Sequence, residues 1–71
     1  MPRSLSPERR QAYLDAALHL FISQGVQNTT TADIARAAGT ASGTLFLYFP
    51  TRQELINALA LDIAARQAEA L

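Results

Sequence analysis

TTTADIARAAGTASGTLFLYF, residues 29–49, is the stretch whose reading decides the fold. Thr30 stands three residues before Asp33, close to the spacing of a capping box, although Glu or Gln is the commoner partner. A short helix then runs through Ile34, Ala35, Ala37 and Ala38 to Gly39. At about two turns it is too short to persist alone, so it must pack against something. Residues 44–49, Thr-Leu-Phe-Leu-Tyr-Phe, have the propensity of a strand. Nothing else in the chain resembles a strand to pair with them, and a lone strand leaves its backbone groups unsatisfied. They are therefore expected to form a short buried helix against local propensity, closed by Pro50. Two short helices around Gly39 make a helix-turn-helix. Ala35 is small enough for a close crossing, and Ile34, Ala38, Leu45 and Phe49 can point inward. The start of the second helix is then left exposed for a major groove. The same spacing of alanine and glycine also occurs in ordinary helical hairpins.

On the N-terminal side, Ser6-Pro7-Glu8 is a helix start: a serine cap, a proline at the first position and an acid at the positive end. Tyr13, Ala17, Leu20 and Phe21 recur at helical spacing, widened by Leu14 and Leu18, and predict an amphipathic helix of about five turns. Gly25 should end it in the left-handed conformation. On the C-terminal side, Thr51 and Glu54 form a capping box directly after Pro50. Leu55, Ile56, Leu59 and Ile63 mark the apolar face of the helix that follows. No stop signal precedes Leu71. The expectation is a domain cut from something longer, or a helix whose apolar side awaits a partner.

The chain has 71 residues, 49% hydrophobic and 17% charged, with no cysteine and one histidine. That is one small domain with a marginal core. It has no disulfide framework and no thiolate zinc site. The longest mostly apolar run, residues 55–65, is broken by Asn57 and Asp62 and falls short of the roughly 18 residues of a membrane span. Without a secretory pattern at the start, a soluble, intracellular protein is expected. Six arginines balance six acids, and no lysine is present. Arg3, Arg9 and Arg10 outweigh Glu8 at the start, while Glu54, Asp62 and Glu69 outweigh Arg66 at the end. This permits an anionic partner near the start without demanding one. Asp15, Asp33, Glu54 and Asp62 are spaced as caps and surface charges, and none pairs with a base or nucleophile. His19 lies off the apolar stripe, at a solvated edge. The three glycines are scattered singly, so no phosphate loop forms. No enzyme and no cofactor are expected.

Residues 29–39, then Gly43-Thr44-Leu45-Phe46-Leu47-Tyr48-Phe49, then Arg52-Gln53-Glu54-Leu55, closely resemble the N-terminal DNA-binding domain of TetR-family transcriptional regulators. Ala16-Ala17, Leu20-Phe21 and Gly25 extend the resemblance over about residues 9–63. The resemblance implies an all-α, three-helix, homeodomain-like helix-turn-helix bundle plus the start of a fourth, linking helix. Helix 2 would span about residues 31–38, helix 3 about 42–48 and helix 4 from about 52. Residues 1–6 would be an N-terminal arm, 7–50 the DNA-binding domain, and 51–71 the link toward an absent C-terminal domain that dimerises and binds a small-molecule inducer. The implied function is sequence-specific binding of double-stranded DNA as a homodimer, helix 3 in the major groove of a palindromic operator. In that family this most often serves repression, in the cytoplasm. The alternative is a truncated helical module that associates through residues 55–71 and binds little DNA itself.

The resemblance also implies a contact surface. Thr30 and Thr31 match positions that meet the DNA backbone, where hydroxyls and a helix start suit a phosphate; Thr30 is a cap as well. Ser42, Gly43 and Thr44 lie at the exposed start of helix 3. Gly43 allows close approach, and Thr44 offers a hydroxyl and a methyl. Phe46 stands where the family often has tyrosine, and core packing competes with DNA contact for it. Leu47 should meet a thymine methyl, with a dimer or lattice contact as the alternative. Tyr48 can pack its ring while its hydroxyl reaches a phosphate. Arg52 matches a lysine that opens helix 4 and suits a phosphate clamp. Tyr48→Ala and Arg52→Ala are accordingly expected to weaken binding with little effect on folding, whereas Leu59→Asp should disturb association or folding. Ala41 replaces a frequent serine cap, so Thr40 or Ser42 must cap helix 3 or that end is looser. Ser42 replaces a frequent basic residue, for which the arm arginines could compensate.

Overall fold

The computed structural model describes residues 5–70, which form four α-helices: α1 (Pro7–Gln24), α2 (Thr31–Ala37), α3 (Ser42–Tyr48) and α4 (Arg52–Ala70). A 3₁₀ turn, Val26–Asn28, joins α1 to α2. Among the described residues there is no strand. Arg3 lies outside them.

The helix starts follow the expected chemistry. The Ser6 hydroxyl accepts the Arg9 N–H at 3.2 Å, with Pro7 at the first helical position. At α2 both halves of the capping box form: Asp33 N–H donates to the Thr30 hydroxyl at 3.0 Å, and Thr30 N–H donates to the Asp33 carboxylate at 3.0 Å. At α4 half of the expected box forms. Glu54 N–H donates to the Thr51 hydroxyl at 3.1 Å, but the Glu54 carboxylate meets that hydroxyl at 3.5 Å instead of the Thr51 N–H.

Gly25 ends α1 with φ 90° and ψ 147°. Its φ is positive as expected, but its ψ is extended, so the chain leaves the helix axis and enters the 3₁₀ turn. The turn is pinned from within. Gln24 and Asn28 donate to each other's carbonyls at 3.0 Å, and the buried Thr29 hydroxyl donates to the Gly25 carbonyl at 2.8 Å.

Between α2 and α3, Gly39 adopts φ 82°. The Gly39 N–H donates to the Arg36 carbonyl at 3.0 Å, and the Thr40 N–H to the Ala35 carbonyl at 2.8 Å. These are the paired bonds of a Schellman motif, and only glycine enters that left-handed position without cost. Main-chain bonds therefore close the turn.

One core collects residues from all four helices: Tyr13, Leu14 and Ala17 of α1, Ile34 and Ala35 of α2, Leu45 and the following Phe49, and Leu55 and Leu59 of α4. Each fully buried leucine or isoleucine stabilises by about 1.5–3 kcal/mol. Ala38 is half-buried rather than fully inward. That core is why TLFLYF is helical: a helix buries Leu45 and Phe49 on one side while satisfying its own backbone. Leu55 and Leu59 are spent inside this chain, so the apolar side of α4 is mostly occupied.

Polar groups clasp α1 to α4. The Arg66 guanidinium meets Asp15 and Asp62 at 3.1 Å each. Gln11 donates to the same two carboxylates at 3.0 and 3.3 Å.

Candidate nucleic-acid interface

Leu45 and Phe49 turn α3 toward the core. Successive helical residues are about 100° apart, so Gly43 and Leu47, one turn from each other, form the opposite crest. Leu47 is 66% exposed there. Phe46, 41% exposed, lies on one flank of the crest, and Thr44 and Tyr48 lie on the other. Phe46 is thus on the surface rather than in the core.

On the Phe46 flank a shallow groove is lined by Thr30, Thr31, Phe46 and Arg52, with Gln27 at its edge. Thr30 and Thr31 stand there because the capping box starts α2 at that point. The Thr30 hydroxyl accepts from the Asp33 N–H at the border of this groove. Arg52 donates through Nη2 to the carbonyls of Val26 and Thr29, the latter at 3.3 Å. It therefore fastens the start of α4 to the segment that leads into α2. A guanidinium has five N–H donors, so others remain to face the groove.

On the other flank, a second groove is lined by Leu5, Arg9, Thr40, Thr44, Leu47 and Tyr48. The Tyr48 hydroxyl accepts the Ser6 N–H at 2.9 Å, and its ring stands edge-on to Tyr13 with centroids 5.5 Å apart. The Tyr13 hydroxyl in turn bonds the Thr40 hydroxyl at 2.6 Å. Tyr48 is thus a structural strut as well as a surface group. Tyr48→Ala would remove that strut, contrary to the expectation that it spares the fold. Arg52→Ala would likewise free the Val26 and Thr29 carbonyls.

Arg9 and Arg10, in the first turn of α1 rather than in an arm, part company. Arg9 lines the groove beside α3, whereas Arg10 lies over the Phe49 ring at 5.4 Å from its centroid. Ala41 caps α3 with no side-chain hydrogen bond. Thr40 turns to Tyr13, so the expected cap from Thr40 or Ser42 does not form. Ser42 is half-buried and Gly43 exposed at that uncapped start.

The titration of Asp33 is displaced downward. The Thr30 backbone N–H and then the Thr30 hydroxyl hold its carboxyl below the usual carboxylate range, despite some opposing desolvation. Arg36, 3.6 Å away, adds to this. Among the described residues no cluster of His, Cys, Asp or Glu could hold a metal ion, and no helix is long and apolar enough to cross a membrane.

The surface thus brings Thr30, Thr31, Phe46 and Arg52 together on one side of Gly43 and Leu47, and Thr44 and Tyr48 together on the other. Gln27 was not singled out from the sequence, and Thr40 was considered there only as a cap, not as a lining residue. Both sit in turns, and no local pattern shows which way a turn residue faces until the helices around it are placed.

Residues 14–59 match the profile of the bacterial regulatory proteins of the tetR family. The chain is 40% identical over 60 residues to the HTH-type transcriptional regulator SrpR of Pseudomonas putida, covering 84% of this chain and 27% of that protein. It is 42% identical over 50 residues to the HTH-type transcriptional regulator AcrR of Shigella flexneri, covering 70% and 23%. It is 38% identical over 60 residues to the nucleoid occlusion factor SlmA of Haemophilus ducreyi, covering 83% and 30%. The chain thus spans between 23% and 30% of the length of these relatives. No solved structure matches it significantly.

Proposed function

The chain belongs to the tetR family of bacterial regulatory proteins, and from that premise we propose that it binds a palindromic operator as one half of a homodimer, acting as a cytoplasmic repressor. The family is regulatory, not enzymatic. In this reading α3 enters the major groove with Gly43 and Leu47 leading. Thr30, Thr31 and Arg52 meet phosphates on one side, and Thr44 and Tyr48, with Arg9, meet the backbone on the other. Ser42 lies at the approach of α3 to the bases. The observation that carries the proposal is the disposition of α3: one exposed crest between two grooves, each bearing hydroxyls and an arginine. Such a surface compensates for a net charge of zero, because its cations stand where two phosphate strands would flank the helix. Dimerisation and a small-molecule inducer belong to a C-terminal domain reached through α4, and the inducer would alter the separation of the two recognition helices.

Selection from a random duplex library tests this, using the chain alone and fused to a dimeric coiled coil. A palindrome enriched by the fusion, or by both forms, is the expected result, and its period gives the half-site spacing. Folded protein that enriches no duplex in either form would refute DNA recognition by α3.

A further inference from the structure

The crest of α3 restricts how bases can be read. Telling guanine or adenine apart in the major groove ordinarily takes a forked side chain: Arg or Lys on guanine, Asn or Gln on adenine. The helix Ser42–Tyr48 contains none of these. Its polar groups are single hydroxyls, and the half-buried Thr44 and Tyr48 face the flank beside Arg9. At the crest itself, Gly43 adds no side chain, and a Cβ built there meets nothing within 4 Å. The backbone can therefore come close to a base edge. Leu47, 66% exposed, is the side chain that projects farthest from the core side of α3, with the ring of Phe46 beside it. In the major groove the one apolar group that distinguishes a normal base pair is the 5-methyl of thymine.

Resting on the DNA-binding reading above, we infer that Leu47 selects operator half-sites by covering thymine 5-methyl groups, with Phe46 closing the side of that contact, and that forked hydrogen bonds from α3 contribute nothing to sequence choice. The ligand is thus a duplex with one or two required thymines per half-site opposite the middle of α3. The same chemistry admits 5-methylcytosine at those positions, because it presents the same methyl at the same edge of a pyrimidine.

The test replaces each thymine of a selected duplex by deoxyuridine, one position at a time, which removes the methyl and keeps base pairing. At one or two positions per half-site the substitution should weaken binding by about fourfold, the equivalent of one buried methyl-sized group. All other positions should change little. Leu47→Ala should weaken binding to the thymine duplex and abolish discrimination between thymine and uracil at those positions. Leu47 is exposed, so circular dichroism should show an unchanged fold. Uracil tolerated at every position, or thymine preference surviving in Leu47→Ala, would overturn the inference while leaving DNA binding intact. Failure to bind any duplex would instead overturn the reading on which it rests.

Discussion

At the residue scale, Arg52 separates two duties of a cation that are easily confused. Its Nη2 holds the carbonyls of Val26 and Thr29, and the proposed function gives its remaining donors to a phosphate. Arg52→Lys keeps a charge in the groove, but one ammonium cannot serve the two carbonyls and a phosphate together. It should lower stability by about 1 kcal/mol in thermal melts while leaving the salt dependence of DNA binding unchanged. Arg52→Gln should lower the slope of log K against log salt by about 0.9 per protomer, the share of one phosphate contact. An unchanged slope in the glutamine variant would limit Arg52 to its structural duty. Gly43 offers a second separation. Its φ is not in the left-handed region, and nothing lies near its built Cβ. Gly43→Ala should therefore raise the melting temperature, by up to about 1 kcal/mol of helix stability. The added methyl stands off the approach of the backbone to a base, so the same variant should bind operator DNA more weakly in a titration.

Among the elements, α2 carries a pH signature. The carboxyl of Asp33 titrates below its ordinary range because Thr30 hydrogen-bonds its charged form. A carboxylate with a depressed native pKa contributes its full stabilisation above the unfolded value, near 4, and loses it as pH falls through the lower native value. Thermal midpoints of the native chain should therefore decline from about pH 5 downward, and Asp33→Asn should flatten that decline. Thr30→Ala should cost about 1 kcal/mol at neutral pH, as loss of a helix cap does. These caps are also where the sequence was most legible. Ser6-Pro7, the Thr30–Asp33 pair and Pro50 are local chemistry, and the helices begin and end where those residues say. Even the strand-like TLFLYF was readable, because the absence of a partner strand outweighed its propensity. Illegible were the bonds that join distant segments: Arg52 to Val26, Tyr48 to Ser6, Tyr13 to Thr40. They depend on how whole helices cross, so no spacing announces them. The same reason hid the partner of the Tyr48 hydroxyl: packing of the ring was expected, the bond to the Ser6 N–H was not.

For the whole molecule, the relevant fact is that a single small core serves every helix. A domain of this size has only a few kcal/mol to spare. Leu59, 5% exposed, and Leu61, 73% exposed, are two residues apart on α4 and should respond oppositely to a charge. Leu59→Asp should abolish the cooperative thermal transition, because it sets an unpaired carboxylate in the core. Leu61→Asp should melt as the native chain does, within about 0.5 kcal/mol. Loss of folding in the second variant would mean that α4 packs differently from the arrangement described. The earlier expectation for Leu59 thus resolves in favour of folding, and a test of association through α4 belongs at Leu61. The partition of α3 has a consequence on another timescale. Its inward residues and the main-chain turn at Gly39 hold the helix in place, while Gly43, Phe46 and Leu47 on its outer side contribute little to that frame. Mutations at these three positions can accumulate after gene duplication without a penalty in folding, so descendants can drift to new target sites while inheriting the same scaffold intact.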